Sequence, residues 1–146
     1  MQMILFSGPQ ATGKSSLFKE LFVDTHLRIN LDMLRTRHRQ NLLIAACLAA
    51  KQPFVIDNTN LGVAERSGHI LLAKAQRFLV LSYRFNLPFD EALMRNNQRS
   101  KPVPEKAQRS AFKNWQKPQW AEGYDGLFDV TSSQGQFTIT EVLHEQ

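Results

Sequence analysis

Cysteine is almost absent from this sequence: Cys47 stands alone, so no disulfide can form within the chain. It lies in the apolar run LLIAACLAA, which reads as core packing rather than chemistry. The four histidines are scattered and give no metal-ligand spacing, which sets aside a structural zinc site. No apolar run is long enough to span a membrane, and the first 22 residues read as the start of a domain rather than a signal peptide. Repeats and low-complexity tracts are also missing. These features suit a reducing, cytoplasmic setting and one domain over residues 1–146 with a sizeable core.

Acidic charge is scarce in two places. From Arg95 to Lys117 seven basic residues (Arg95, Arg99, Lys101, Lys106, Arg109, Lys113, Lys117) meet one acid, Glu105. From Arg28 to Arg39 four arginines meet only Asp32, while the whole chain carries a formal charge of only +5. A basic balance confined to two segments points to a polyanionic ligand; the plainer reading is a solvated helical face.

What is present is a phosphate loop. GPQATGKSS (Gly8 to Ser16) places four residues between Gly8 and Gly13-Lys14-Ser15, the spacing of a loop whose backbone amides converge on phosphate oxygens. Lys14 can reach the β- and γ-phosphates of a nucleotide, and the Ser15 hydroxyl can ligate Mg²⁺. Apolar strands are expected at Met3–Ser7, Leu27–Asn30, Phe54–Asp57 and Phe78–Phe85, with a fifth near Leu127–Val130. Helices are expected at Gly13–Phe22, Asp32–Lys51, Gly62–Ala75, Asp90–Gln98 and Pro104–Lys117. This alternation predicts an α/β fold of the P-loop NTPase kind: a parallel sheet of about five strands, helices on both faces and a short basic lid near 95–117. SKPVPEK (Ser100 to Lys106) reads as a mobile hinge between the last two helices.

Ligands of such sheets sit beyond the carboxyl ends of the strands. VIDNTN (Val55 to Asn60) puts Asp57 there, able to hold Mg²⁺ with Ser15; the structural alternative is a helix cap. Asp32 and Arg35 are three apart and are expected to share one face of a helix's first turn. They would be either a surface ion pair or a base beside a phosphate-steadying guanidinium.

These strings together resemble the kinase domain of polynucleotide kinases, the 5′-hydroxyl kinases of nucleic-acid end repair. RINLDMLR is similar to that family's N-R-D-x-x-R segment, matching at Asn30, Asp32 and Arg35. VIDNTN is nearly the family's own string, RNNQRSKPVP (Arg95 to Pro104) looks like its lid, and KPQWAEGYD (Lys117 to Asp125) resembles an Ala-Glu-Gly-aromatic segment of its animal members. The resemblance implies ATP and Mg²⁺ as cofactors and nucleic-acid 5′ ends as acceptor. It implies Asp32 as general base, Arg35 on the acceptor's phosphate, Lys14 on the donor phosphates and Arg99 as a transition-state arginine. Gly8, Thr12, Gly13, Ser15, Ser16 and Arg95 would complete the nucleotide cradle, with Ser15 and Asp57 on the metal. No phosphatase or ligase segment accompanies the kinase-like one.

Two positions depart from the family. Leu31 stands where arginine is common, and Gln10-Ala11 stands where Pro-Gly is usual; an ordinary backbone conformation is expected at Ala11. Trp115 and Trp120 could stack on bases, but packing of the basic helix onto the sheet is the favoured reading, and Phe85, Phe89 and Phe112 are expected in the core. Two other functions share the loop: a kinase for a small acceptor (nucleoside, sugar or antibiotic) and a nucleotide-binding ATPase that phosphorylates nothing. The pairing of Asp32 with Arg35 argues against the ATPase.

Overall fold

In a computed structural model, which describes residues 1–144, the first strand β1 (Gln2–Ser7) lies at the centre of the sheet. Its residues alternate between two cores, as the two-residue period of a strand requires. Met3 and Leu5 join Ile29, Ile44, Leu48, Phe54, Ile56 and Val80 on one face. Ile4 and Phe6 join Leu17, Phe18, Val55 and Phe85 on the other. A continuous apolar run is what a strand covered on both faces needs, and each fully buried side chain contributes about 1.5–3 kcal/mol.

Around β1 lie β2 (Leu27–Ile29), β3 (Phe54–Ile56), β4 (Leu79–Phe85), β5 (Gly126–Ser133) and β6 (Gln136–Glu141), in the order β2-β3-β1-β4-β5-β6. The first five run parallel, in line with the expected fold class. The sixth was missed from sequence. It returns antiparallel to β5 through Gln134 and Gly135, whose φ values of 52° and 78° are both positive, as a two-residue hairpin requires.

The helices are α1 (Lys14–Leu21), α2 (Leu31–Leu34), α3 (Arg37–Ala50), α4 (Val63–Ala75), α5 (Phe89–Asn97) and α6 (Glu105–Asn114). The single helix expected over Asp32–Lys51 is two. Arg35 closes α2 with φ 78°, and the Thr36 hydroxyl then caps α3 by accepting from the Arg39 amide at 3.2 Å. Asp32 and Arg35 therefore do not share the face of a continuing helix.

The Ser100–Lys106 link is fastened at one point, Val103. The Asn96 side chain, 1 % exposed, donates to the Val103 carbonyl at 2.6 Å and accepts from its amide at 2.9 Å. Cys47 and Phe85 are buried as expected. Phe89 and Phe112 are only half-buried and meet edge-to-face, with ring centroids 5.2 Å apart, holding α5 against α6.

Candidate active site

The carboxyl ends of β1, β2 and β3 are joined by the polar residues of VIDNTN. Asn58 accepts from the Leu31 amide at 2.8 Å and donates to Gln40, fixing the start of α2. The Thr59 carbonyl accepts from the Gly8 amide at 2.9 Å. Asn60, fully buried, donates to the Phe6 carbonyl at 2.7 Å, and its own carbonyl takes the Ser7 hydroxyl and Arg66. Asn58, Thr59 and Asn60 thus supply partners to backbone and side-chain groups where strand pairing stops. None of them caps α4, whose N-cap is Gly62.

The phosphate loop leaves Ser7, turns, and enters α1. Gly13 has φ 99°, and a Cβ there would lie 2.8 Å from the Phe137 ring, so only glycine fits. Ala11 has φ 61°, which overturns the expected ordinary conformation: an alanine occupies the left-handed position where the resembled family carries glycine. Thr12 is buried and its hydroxyl donates to the Pro9 carbonyl at 2.8 Å, bracing the loop. The Lys14 ammonium donates to the Gly8 and Pro9 carbonyls at 2.8 and 2.6 Å. Burial lowers its pKa to about 8; Arg99 pushes the same way, while Asp57 and Asp32 oppose.

A cavity of about 850 Å³ opens over this loop. Gly13, Lys14, Ser15, Ser16, Asp32, Asp57, Arg95 and Arg99 all line it, so most residues singled out from sequence converge. Gly8 and Thr12 stand behind the loop rather than on its surface. Arg35 is exposed and does not line the cavity; Arg37, from the N-terminus of α3, does, 3.9 Å from Glu65 across the mouth. Asp57, which also lines the cavity, is 2 % exposed and accepts from the Ser15 hydroxyl at 3.1 Å.

Arg28 was missed. From β2 its Nε donates to Asp57 Oδ2 and its Nη2 to Ser15 Oγ, each at 2.8 Å. The available signal was a charged residue between Leu27 and Ile29 in an otherwise apolar strand.

On the other flank, Arg95 donates to the Ser132 hydroxyl at 2.6 Å, tying α5 to β5. The second half of the expected lid is fastened to the loop. Trp115 Nε1 donates to Ser7 Oγ at 2.9 Å, and the buried Gln108 reaches the Gln10 carbonyl at 3.4 Å. Trp120 stacks on His144, ring centroids 4.6 Å apart, and packs against the core. Neither tryptophan lines the cavity.

A family profile described as an AAA domain matches residues 3–118, which hold the loop, both acidic strand ends and the expected lid. The chain belongs to that family. No curated protein matches the sequence closely. Among solved structures, Kti12 of Chaetomium thermophilum in complex with ADP-AlF3 is similar at TM-score 0.69 and 16 % identity, over 88 % of each chain. A gluconokinase from Sinorhizobium meliloti 1021 is similar at TM-score 0.64 and 14 % identity, over 91 % of this chain and 83 % of that one. A sugar kinase from Janibacter sp. HTCC2649 gives 0.64 and 15 %, over 88 % and 85 %. At such identities the likeness is one of fold: this AAA-domain protein has the fold of the P-loop kinases. The narrower likeness to polynucleotide kinases rests on its sequence strings alone.

Proposed function

We propose that this protein is an ATP-dependent kinase that phosphorylates a hydroxyl of a small, hydroxyl-rich molecule. The observation that carries the reading is the composition of the cavity wall opposite the phosphate loop. Asp32, Asn58, Thr59, Arg37 and Glu65 supply both hydrogen-bond donors and acceptors, and no aromatic residue lines the cavity among the described residues. A polyol, sugar or sugar acid calls for the polar groups found on that wall.

In this reading the donor phosphates rest on the Gly8–Ser16 loop and Lys14, with Arg95 at their flank. Asp32 takes the proton from the acceptor hydroxyl as its oxygen attacks the γ-phosphorus and the bond to the β-bridging oxygen breaks, releasing ADP. Lys14 and Arg99 offset the charge that gathers on the transferring group. Arg37 takes the acceptor-side position that the sequence suggested for Arg35. Ser15 and Asp57 fit Mg²⁺: a hydroxyl and a carboxylate are both hard oxygen donors, and Arg28 lying against both marks the point as one that draws a cation. When bound, that ion would neutralise charge on the β- and γ-phosphate oxygens.

A nucleic-acid 5′-hydroxyl is the second acceptor class. The family-like strings favour it, as do the exposed Lys101, Lys106 and Lys113. Those lysines lie outside the cavity wall, however, and the side chain of Arg109 is engaged with Glu105 and the Phe89 ring. Labelled ATP offered with polyols, sugars, sugar acids, nucleosides and 5′-hydroxyl oligonucleotides tests both. Transfer to a sugar-like acceptor, lost in Asp32→Asn, supports the first reading. Transfer only to oligonucleotides, weakening steeply with salt, would install the second. ATP consumption with no labelled acceptor would overturn both.

A further inference from the structure

Asp57 is nearly sealed from solvent, and among the described residues its carboxylate has the Ser15 hydroxyl and Arg28 as hydrogen-bond partners. A buried carboxylate needs a compensating charge, and here an arginine from the edge strand β2 supplies it. The same guanidinium also donates to Ser15 Oγ, so it lies against both oxygen donors that the metal site requires. The Arg28 side chain is 28 % exposed against 2 % for Asp57, so it can leave toward solvent without unpacking the core.

We propose that Arg28 is a built-in cation that occupies the Ser15–Asp57 oxygen pair in the nucleotide-free protein and exchanges with the divalent ion that arrives with the nucleotide. This rests on reading the cavity as a nucleotide site. A free divalent ion then has to displace a tethered charge with only two protein oxygens in return. An ion carried on nucleotide phosphates brings further ligands and a second place for the displaced guanidinium to go: the anionic phosphates themselves. Metal occupancy is thereby coupled to nucleotide occupancy, and an idle site does not fill with cation.

The test uses the full chain and Mn²⁺, with binding followed by the loss of the free-ion electron paramagnetic resonance signal and thermal unfolding measured alongside. The wild type should bind Mn²⁺ weakly without nucleotide and show little metal-dependent change in Tm. Arg28→Ala should bind Mn²⁺ at least about tenfold more tightly, because the competing charge is gone, and its lowered Tm should be restored by the ion. Arg28→Lys, which keeps a cation within reach, should behave as the wild type. Asp57→Asn added to Arg28→Ala should abolish the metal response. If Arg28→Ala is unfolded alone, Mn²⁺ should fold it; a chain still unfolded in millimolar Mn²⁺ refutes the proposal. Equal Mn²⁺ affinity in wild type and Arg28→Ala refutes it too. Calorimetry with ATP alone separates the two levels: no nucleotide binding by the wild type would remove the underlying reading, whereas nucleotide binding with an unchanged metal response removes only the exchange.

Discussion

Glu122 is predicted to be the costliest single charge to remove from this fold. Its carboxylate accepts from Arg66 Nε at 2.8 Å and Nη2 at 3.1 Å, from the Gln119 amide at 2.8 Å and from the Tyr124 hydroxyl at 3.1 Å. Arg66 is fully buried and Glu122 nearly so, its side chain 7 % exposed. Glu122→Gln preserves the volume but removes the compensating charge, leaving a buried guanidinium that cannot shed its proton facing neutral carbonyl oxygens, that of the new amide and that of Asn60 at 2.7 Å from Nη1. Breaking one half of such a pair costs about 3–5 kcal/mol, a large share of the roughly 5–15 kcal/mol that holds a domain together. Urea unfolding followed by circular dichroism should show the midpoint fall with an unchanged slope, and Tm should drop by on the order of 10 °C. Arg66→Met combined with Glu122→Leu removes both charges and should recover most of the loss. A Glu122→Gln loss below about 1 kcal/mol, or a double variant no better than the single one, would refute the argument.

Ala11→Gly relieves the left-handed strain at φ 61° and should stabilise the protein by about 1 kcal/mol in the same assay, whereas Ala11→Val should destabilise it. Lys14 has a pKa lowered to about 8, and bound phosphates would raise it; nucleotide binding near pH 8 should therefore take up a proton. Calorimetry in buffers of different ionisation enthalpy reads that uptake, which Lys14→Met should lose. The same depression means the unfolded chain binds more protons than the folded one between about pH 8 and the ordinary lysine value of 10.5, so Lys14's contribution to stability rises across that window. Asp32→Asn should leave ATP affinity nearly intact and cut phosphoryl transfer by roughly 10²–10⁴-fold. Arg35→Ala, outside the cavity, should cost transfer far less than Arg99→Ala, within it.

The central sheet was legible because it is written in runs that admit one interpretation. MILFS has no polar residue until its last position, and a strand buried on both faces is the only short element that uses such a run before a glycine-bearing loop. The loop, Asp32, Asp57 and the arginines at 95 and 99 could be singled out from their strings, and the fold brings them to one cavity. The misreadings share a cause: a local signal was read without the partner it meets. Periodicity carried one helix through residues 32–51, although Thr36 is a good cap, because the positive φ at Arg35 has no residue-type marker. Ala11 likewise does not announce its backbone conformation. FTIT alternates as an edge strand should, but its pairing with β5 depends on a Gln-Gly turn weaker in signal than Asn-Gly. Arg28 was counted as charge and not as a site residue, because its partners Ser15 and Asp57 come from elements 13 and 29 positions away.

The lid inherits its limits from the same long-range contacts. A basic segment interrupted by two prolines suggests a flap that swings as a unit, yet each half is fastened to something different. Helix α6 is held by Trp115 on Ser7, at the end of β1, and by Gln108 on Gln10 in the loop, so moving it would disturb the loop's own backbone. Helix α5 is tied to β5 through Arg95 and Ser132, to the following link through Asn96 and Val103, and at its first turn to α6 through Phe89 and Phe112. Arg99 lies just beyond the end of α5, its amide still bonded to the Asn96 carbonyl at 3.1 Å. A bound nucleotide that draws Arg95 away from Ser132 would therefore tilt α5 and carry Arg99 with it, while α6 stays put. If the site binds a nucleotide, closure on this scaffold would be a small adjustment of one helix about its Phe89 end, carrying Arg95 and Arg99 toward the phosphates.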